Sequence, residues 1–142
     1  MLVLGSVAWL LFIAYVTWSV LLSVLKQKEV TGETIAMSVS VYLLMGLAWG
    51  LLYIVLFQIQ PDAFNLAGPP TPTRAADVQP LFPTFVYFSL TTLSTIGFGD
   101  ITPVSLQARY AAVAEGITGQ FYLAILVARL VGLQMSRSAD RG

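Results

Sequence analysis

The chain has 142 residues and no formal net charge; 57% of them are hydrophobic and only 10% charged. A soluble domain carries about a quarter charged residues, so composition alone makes this a membrane protein, one domain in length, with no electrostatic case for nucleic acid. Cysteine and histidine are absent, which excludes disulfides, thiolate metal sites, histidine-dependent triads and zinc sites built on histidine.

Residues 2–25 carry no charge, enough to cross a hydrocarbon core that takes about 20 helical residues. A signal peptide is the competing reading, but the basic n-region is missing and the run is too long for an h-region, so a retained transmembrane helix is expected. Trp18 suits an interfacial anchor and Trp9 plain packing. Lys26, Lys28, Glu29 and Glu33 make a short polar connection, with Thr31-Gly32-Glu33-Thr34 as turn and helix start. The positive-inside rule counts the lysines, which puts this loop in the cytoplasm and the N-terminus outside. Residues 1–34 thus form a first helix and its loop.

Residues 35–57 are a second uncharged span. Gly46 and Gly50 stand four apart, a small-residue spacing that serves close helix contact within one subunit or between subunits. From Gln58 to Pro80 the composition changes. Pro61, Gly68, Pro69, Pro70, Pro72 and Pro80 break helix and central strand, while Asp62, Arg74 and Asp77 favour water. An irregular extracellular linker is expected, a turret in form. Residues 81–94 are apolar, hydroxyl-rich and too short to span. A helix of about three turns starting near Pro83 fits a re-entrant segment, tolerated at membrane depth only inside protein. Its C-terminal end carries partial negative charge and favours a cation.

The run Thr91-Thr92-Leu93-Ser94-Thr95-Ile96-Gly97-Phe98-Gly99-Asp100 follows. Backbone carbonyls replace an ion's water shell when they all face one axis. Aiming them so requires positive φ at some residues, which Gly97 and Gly99 adopt without steric cost. Ile96 and Phe98 then turn their side chains outward, and Thr95 adds a hydroxyl at the inner end. The plain alternative is a glycine-containing turn between two helices. Residues 95–100 resemble the signature filter of potassium channels, with Ile and Phe where the usual motif carries Val and Tyr; no acid replaces Phe98, as it would in a non-selective cation relative. The resemblance to bacterial potassium channels covers about residues 35–132 and is most specific over 92–100. It implies potassium ions held at Thr95, Ile96, Gly97, Phe98 and Gly99, with Asp100 bracing the filter from behind and raising local cation concentration. It also places Thr91 where some relatives carry a buried acid.

The last span is expected from Pro103 to about Gly132, holding Arg109, Glu115 and Arg129; a polar tail, 134–142, carries Arg137 and Arg141. Those arginines favour the cytoplasm, in agreement with the lysine loop. The resemblance puts a hinge glycine at Gly119, with Gly116 as the alternative and close packing as the plainer role for either. By the same spacing Gln120, Leu123 and Val127 face the pore, the last two forming an apolar constriction that gates by dewetting. Glu115, an acid inside the membrane, is a functional candidate, since an unpaired buried charge is costly. It lies about 140° around the helix from Gln120, which faces it toward the pore helix or outer helix, with Thr91 as one candidate partner, protonation or hydrogen bonding to pore-helix hydroxyls as the ways it is accommodated, and filter support or pH sensing as its roles. Arg109 pairs with an outer acid or snorkels, and Arg129 snorkels near the cytoplasmic side.

The expected fold is an all-α membrane protein: three transmembrane helices, a re-entrant pore helix and a selectivity filter, with residues 35–133 as the pore domain. Four copies are needed to close a carbonyl ring, so a homotetramer in the cell membrane is expected, with no cofactor beyond potassium as permeant ion. The expected function is passive, potassium-selective conduction and not enzymatic catalysis. A channel that also passes sodium is one alternative. A non-conducting scaffold or regulatory subunit is another; a membrane enzyme is weakest, since no acids or nucleophiles converge in the spans.

Overall fold

A computed structural model describes residues 2–27, 31–66 and 81–139, without the side chains of Leu2 and of 133–139. Helix α1 spans Leu2–Lys26 and α2 spans Gly32–Ile59; both are apolar apart from a charge at the end, Lys26 on α1 and Glu33 on α2. Thr31 caps α2, its Oγ1 accepting from the Thr34 amide at 3.3 Å. The two helices run antiparallel, so that Gln58 near the end of α2 donates to Ser6 near the start of α1 at 3.1 Å. Lys28, Glu29, the linker residues 67–80 and Arg141 lie outside the described residues, and with them the turret expectation.

The linker does not begin as irregular chain. Pro61–Ala63 form one 3-10 turn and Phe64–Leu66 form strand β1. It pairs antiparallel with β2, Ile101–Pro103, with Phe64 opposite Pro103 and Leu66 opposite Ile101. Pro103 therefore ends a short edge strand, a place where a residue without an N–H is tolerated, and does not begin the last helix. That helix, α4, spans Leu106–Ala139, and its N-cap is Ser105, whose Oγ accepts from the Ala108 amide at 3.2 Å. A serine oxygen satisfies an orphan amide of the first turn, which proline has no means to do. The backbone of α4 also continues past Gly132 through most of the expected tail.

Helix α3, Leu81–Leu93, starts two residues before Pro83. Proline at the third helical position costs nothing extra, because none of the first four amides has a helical acceptor. Gly46 and Gly50 decide their packing question in favour of the subunit itself. A Cβ on Gly50 would stand 3.1 Å from Val86 Cα, and one on Gly46 would stand 2.6 Å from Leu90 Cδ2. The absent side chains thus let α2 lie close against α3.

The core sits where α2, α3 and the ribbon meet. Phe64 enters it from β1, edge-on to Tyr53 at 5.6 Å, to Phe85 at 5.0 Å and to Phe88 at 5.6 Å. Edge-to-face rings stabilise beyond their buried area. The ribbon is thereby fixed to the helices, and the amides of Val104 and Ser105 both donate to Ala63 O, at 2.8 and 3.2 Å. The outer helix and the start of the last helix are held together at this point.

Candidate functional site

The end of α3 shapes everything that follows it. The Thr95 amide donates to Thr92 O at 3.0 Å and the Ile96 amide to Thr91 O at 2.8 Å. This is the paired 6→1 and 5→2 bonding that closes a helix when the residue after its cap turns left-handed. That residue is Thr95, at φ 61°. Gly97 and Gly99 are left-handed as well, at 53° and 80°, and the residues between them are not. Alternating handedness turns successive peptides so that carbonyls share one edge and amides the other. On the amide side, Ile96 and Gly97 both bond to Thr91 O, the latter at 3.1 Å. The stretch 95–100 is exposed in the single chain.

Thr91 supports this stretch through its backbone carbonyl. Its side chain is not a partner of Glu115: Thr91 Oγ1 donates to Phe88 O at 2.9 Å, within its own helix. A hydroxyl in mid-helix that reaches the carbonyl of the preceding turn needs no other partner. Phe98 lays its ring parallel to that of Tyr87 on α3, with centroids 6.3 Å apart and 1° between planes. Its side chain is thus turned back toward the helix, away from the carbonyl edge. Asp100 accepts from the Ile101 amide at 3.1 Å. It also acts as a hydrogen-bond acceptor on Tyr87, which, more than burial or charge, pushes that phenol above its ordinary range. Ile96 lines an open apolar groove of about 590 Å³ together with Tyr42, Val86, Tyr87 and Leu90.

Glu115 is fully buried between three helices. Tyr53 of α2 donates to its Oε2 at 2.5 Å, and Ser89 of α3 bonds its Oε1. The Ser89 hydroxyl also lies 2.7 Å from Gly46 O. Both carboxyl oxygens therefore meet hydroxyl groups, which offsets much of the desolvation cost of burying them. Sequence reasoning pointed to pore-helix hydroxyls, of which Ser89 is one, and missed Tyr53. The signal for Tyr53 was there, since a buried phenol hydroxyl calls for a partner within the protein.

Gly119 packs on the end of α3, where a Cβ would collide with Leu93 O and stand 2.9 Å from Leu93 Cδ1. Gly116 is looser, with Thr92 O at 3.9 Å from such a Cβ. The helix is continuous through both, so close approach to α3, not a bend, is the role this conformation gives Gly119. Gln120, Leu123 and Val127 are exposed on the side of α4 away from the rest of the chain. Tyr122, on the opposite side, donates to Ser38 O at 2.7 Å. Arg109 Nε donates to Pro103 O at 3.3 Å. Arg129 donates to Val24 O at 2.5 Å, Leu25 O at 2.9 Å and Gln27 O at 2.5 Å, at the end of α1. Carbonyls at the end of a helix lack the full set of amide partners and are ready acceptors for a guanidinium.

Two proteins named LctB are similar to the chain. That of Bacillus caldotenax is 31% identical over 63% of this chain and 64% of its own length. That of Geobacillus stearothermophilus is 30% identical over 61% of this chain and 62% of its own. The match therefore spans a little under two thirds of these relatives. No solved structure matches. A family model described as an ion channel, of the two-transmembrane pore type, matches residues 41–134, which takes in most of α2, the ribbon, α3, the left-handed stretch and most of α4; the chain belongs to that ion channel family.

Proposed function

We propose that this membrane channel is selective for potassium and that residues 95–99 are its filter. The observation that carries the reading is the alternation of handedness at Thr95, Gly97 and Gly99, with the amides of Ile96 and Gly97 tied back to Thr91 O. Such a ribbon offers a row of carbonyls at fixed spacing, and rings of carbonyls are the device that replaces the potassium hydration shell. Ions sit at the carbonyls of Thr95, Ile96, Gly97 and Phe98, with the Thr95 hydroxyl closing the innermost position.

One chain supplies one wall, so four identical chains surround the axis. The exposed surfaces support this. Only 11% of the α4 span is buried within the chain, against 39% for α2, and the groove behind Ile96 stands open to receive a neighbouring copy. Gln120, Leu123 and Val127 then line the inner path, and α1 lies outside the ring. The lysines and arginines place the loop after α1 and the end of α4 in the cytoplasm, with the N-terminus outside. Transport is passive and calls for no catalytic group.

Reconstituted in liposomes, the protein is expected to carry potassium down its gradient and to pass sodium poorly. Gly99→Ala is expected to abolish the potassium flux, because alanine resists φ 80°. Equal fluxes of the two ions in the unaltered protein would overturn the selectivity, and potassium flux undiminished in Gly99→Ala would overturn the filter assignment.

A further inference from the structure

The ion channel model matches from residue 41 onward and leaves α1 outside. Yet the strongest single attachment of the cytoplasmic half of α4 is to α1. The Arg129 guanidinium donates to three carbonyls there, Val24 O, Leu25 O and Gln27 O. These carbonyls stand at the negative end of the α1 dipole, Val24 O also accepting from the Gln27 amide at 3.2 Å, and a guanidinium fork meets several such acceptors at once.

The direction of this tie matters. At 100° per residue, Arg129 lies about 180° around α4 from Gln120, about 160° from Val127 and about 120° from Leu123. The exposures agree, since those three face away from the rest of the chain while Arg129 is half-buried against α1. Pull on Arg129 therefore acts away from the side carrying Gln120, Leu123 and Val127. Above it, α4 is held by Tyr122 on Ser38 O and by the close approach of Gly119 to Leu93. Among the described side chains, which end at Gly132, Arg129 is the lowest fastening of α4.

We propose that Arg129 and the end of α1 form an outward stay for the inner gate: docking on α1 holds the cytoplasmic half of α4 away from the channel axis, and release lets the Leu123–Val127 constriction close. This rests on the reading of Gln120, Leu123 and Val127 as the pore-facing side. It gives α1 a role in gating that the pore domain alone does not supply.

The test uses the full chain in nanodiscs and in liposomes, with Arg129→Gln and Arg129→Lys. Hydrogen–deuterium exchange over the last turn of α1 is expected to quicken severalfold in Arg129→Gln. Potassium flux is expected to fall severalfold, with the potassium-to-sodium ratio unchanged, because the filter is untouched. Arg129→Lys keeps the charge but loses the fork, so it is expected to fall between the two. Unchanged exchange in Arg129→Gln would show that no stay exists. Faster exchange with unchanged or increased flux would overturn the coupling to the gate, or its direction. If the unaltered protein carries no potassium at all, the conduction reading fails, while the exchange comparison still decides whether Arg129 holds α1.

Discussion

Thr95 occupies a backbone position that most helices give to glycine, and a β-branched residue at φ 61° carries strain of order 1–3 kcal/mol. The hydroxyl is the only thing glycine would not supply. Thr95→Gly is therefore expected to raise intrinsic stability by about 1 kcal/mol while weakening the innermost ion position. Thermal melting without potassium measures the first effect. The second is measured by how much added potassium raises the melting temperature, a gain that shrinks as affinity falls. Gly97 and Gly99 were legible from the chain, because two glycines flanking an aromatic in an apolar setting have few other uses. The left-handed turn at Thr95 was not, because its side chain argues against the conformation and only the bonding of the α3 end enforces it. Phe64 was hidden for the opposite reason: prolines on both sides masked a three-residue strand and its central place in the core.

Along α4, below the bond from Arg109 to Pro103 O, three groups that bond the rest of the subunit stand seven residues apart: Glu115 to Tyr53 and Ser89, Tyr122 to Ser38 O, and Arg129 to the α1 end. Seven residues make nearly two turns, so the three fall on one face with a drift of about 20° at each step. A helix with little apolar burial of its own is positioned by polar fastenings at fixed intervals. Glu115 is the uppermost and the only one shared by three helices. Glu115→Ala is expected to leave Tyr53 and Ser89 buried without this partner and to cost about 1–3 kcal/mol per hydroxyl left unpaired. Glu115→Gln, which retains both an acceptor and a donor, is expected to lose much less. Melting temperatures in detergent, compared at one lipid content, check the order. The sequence marked Glu115 as buried, and helical spacing faced it to the correct neighbours and to pore-helix hydroxyls, but the one residue it named was Thr91, where Ser89 and Tyr53 are found. Arg129 illustrates a deeper limit: its partners are main-chain carbonyls, and a carbonyl leaves no letter in the sequence.

At the scale of the whole molecule, the four helical segments followed from the apolar runs, three of them long enough to cross a bilayer and α3 too short to. The contacts between them followed only from coordinates. Four copies are expected in native mass spectrometry of the detergent-solubilised protein, and a monomer or dimer as the largest species would remove the carbonyl ring. Assembly is expected to cover the groove beside Ile96, so protection of a cysteine introduced at Tyr42 from water-soluble thiol reagents should appear only in the tetramer. The ribbon, finally, has a consequence for how such a molecule varies. Leu66 and Ile101 stand opposite one another on β1 and β2, so the whole excursion through α3 and the filter departs and returns at a single doorstep. It is a cassette seated in a frame: its contents can be exchanged for those of another channel provided that the two feet still match and the new helix still fits Gly46, Gly50, Glu115 and Gly119.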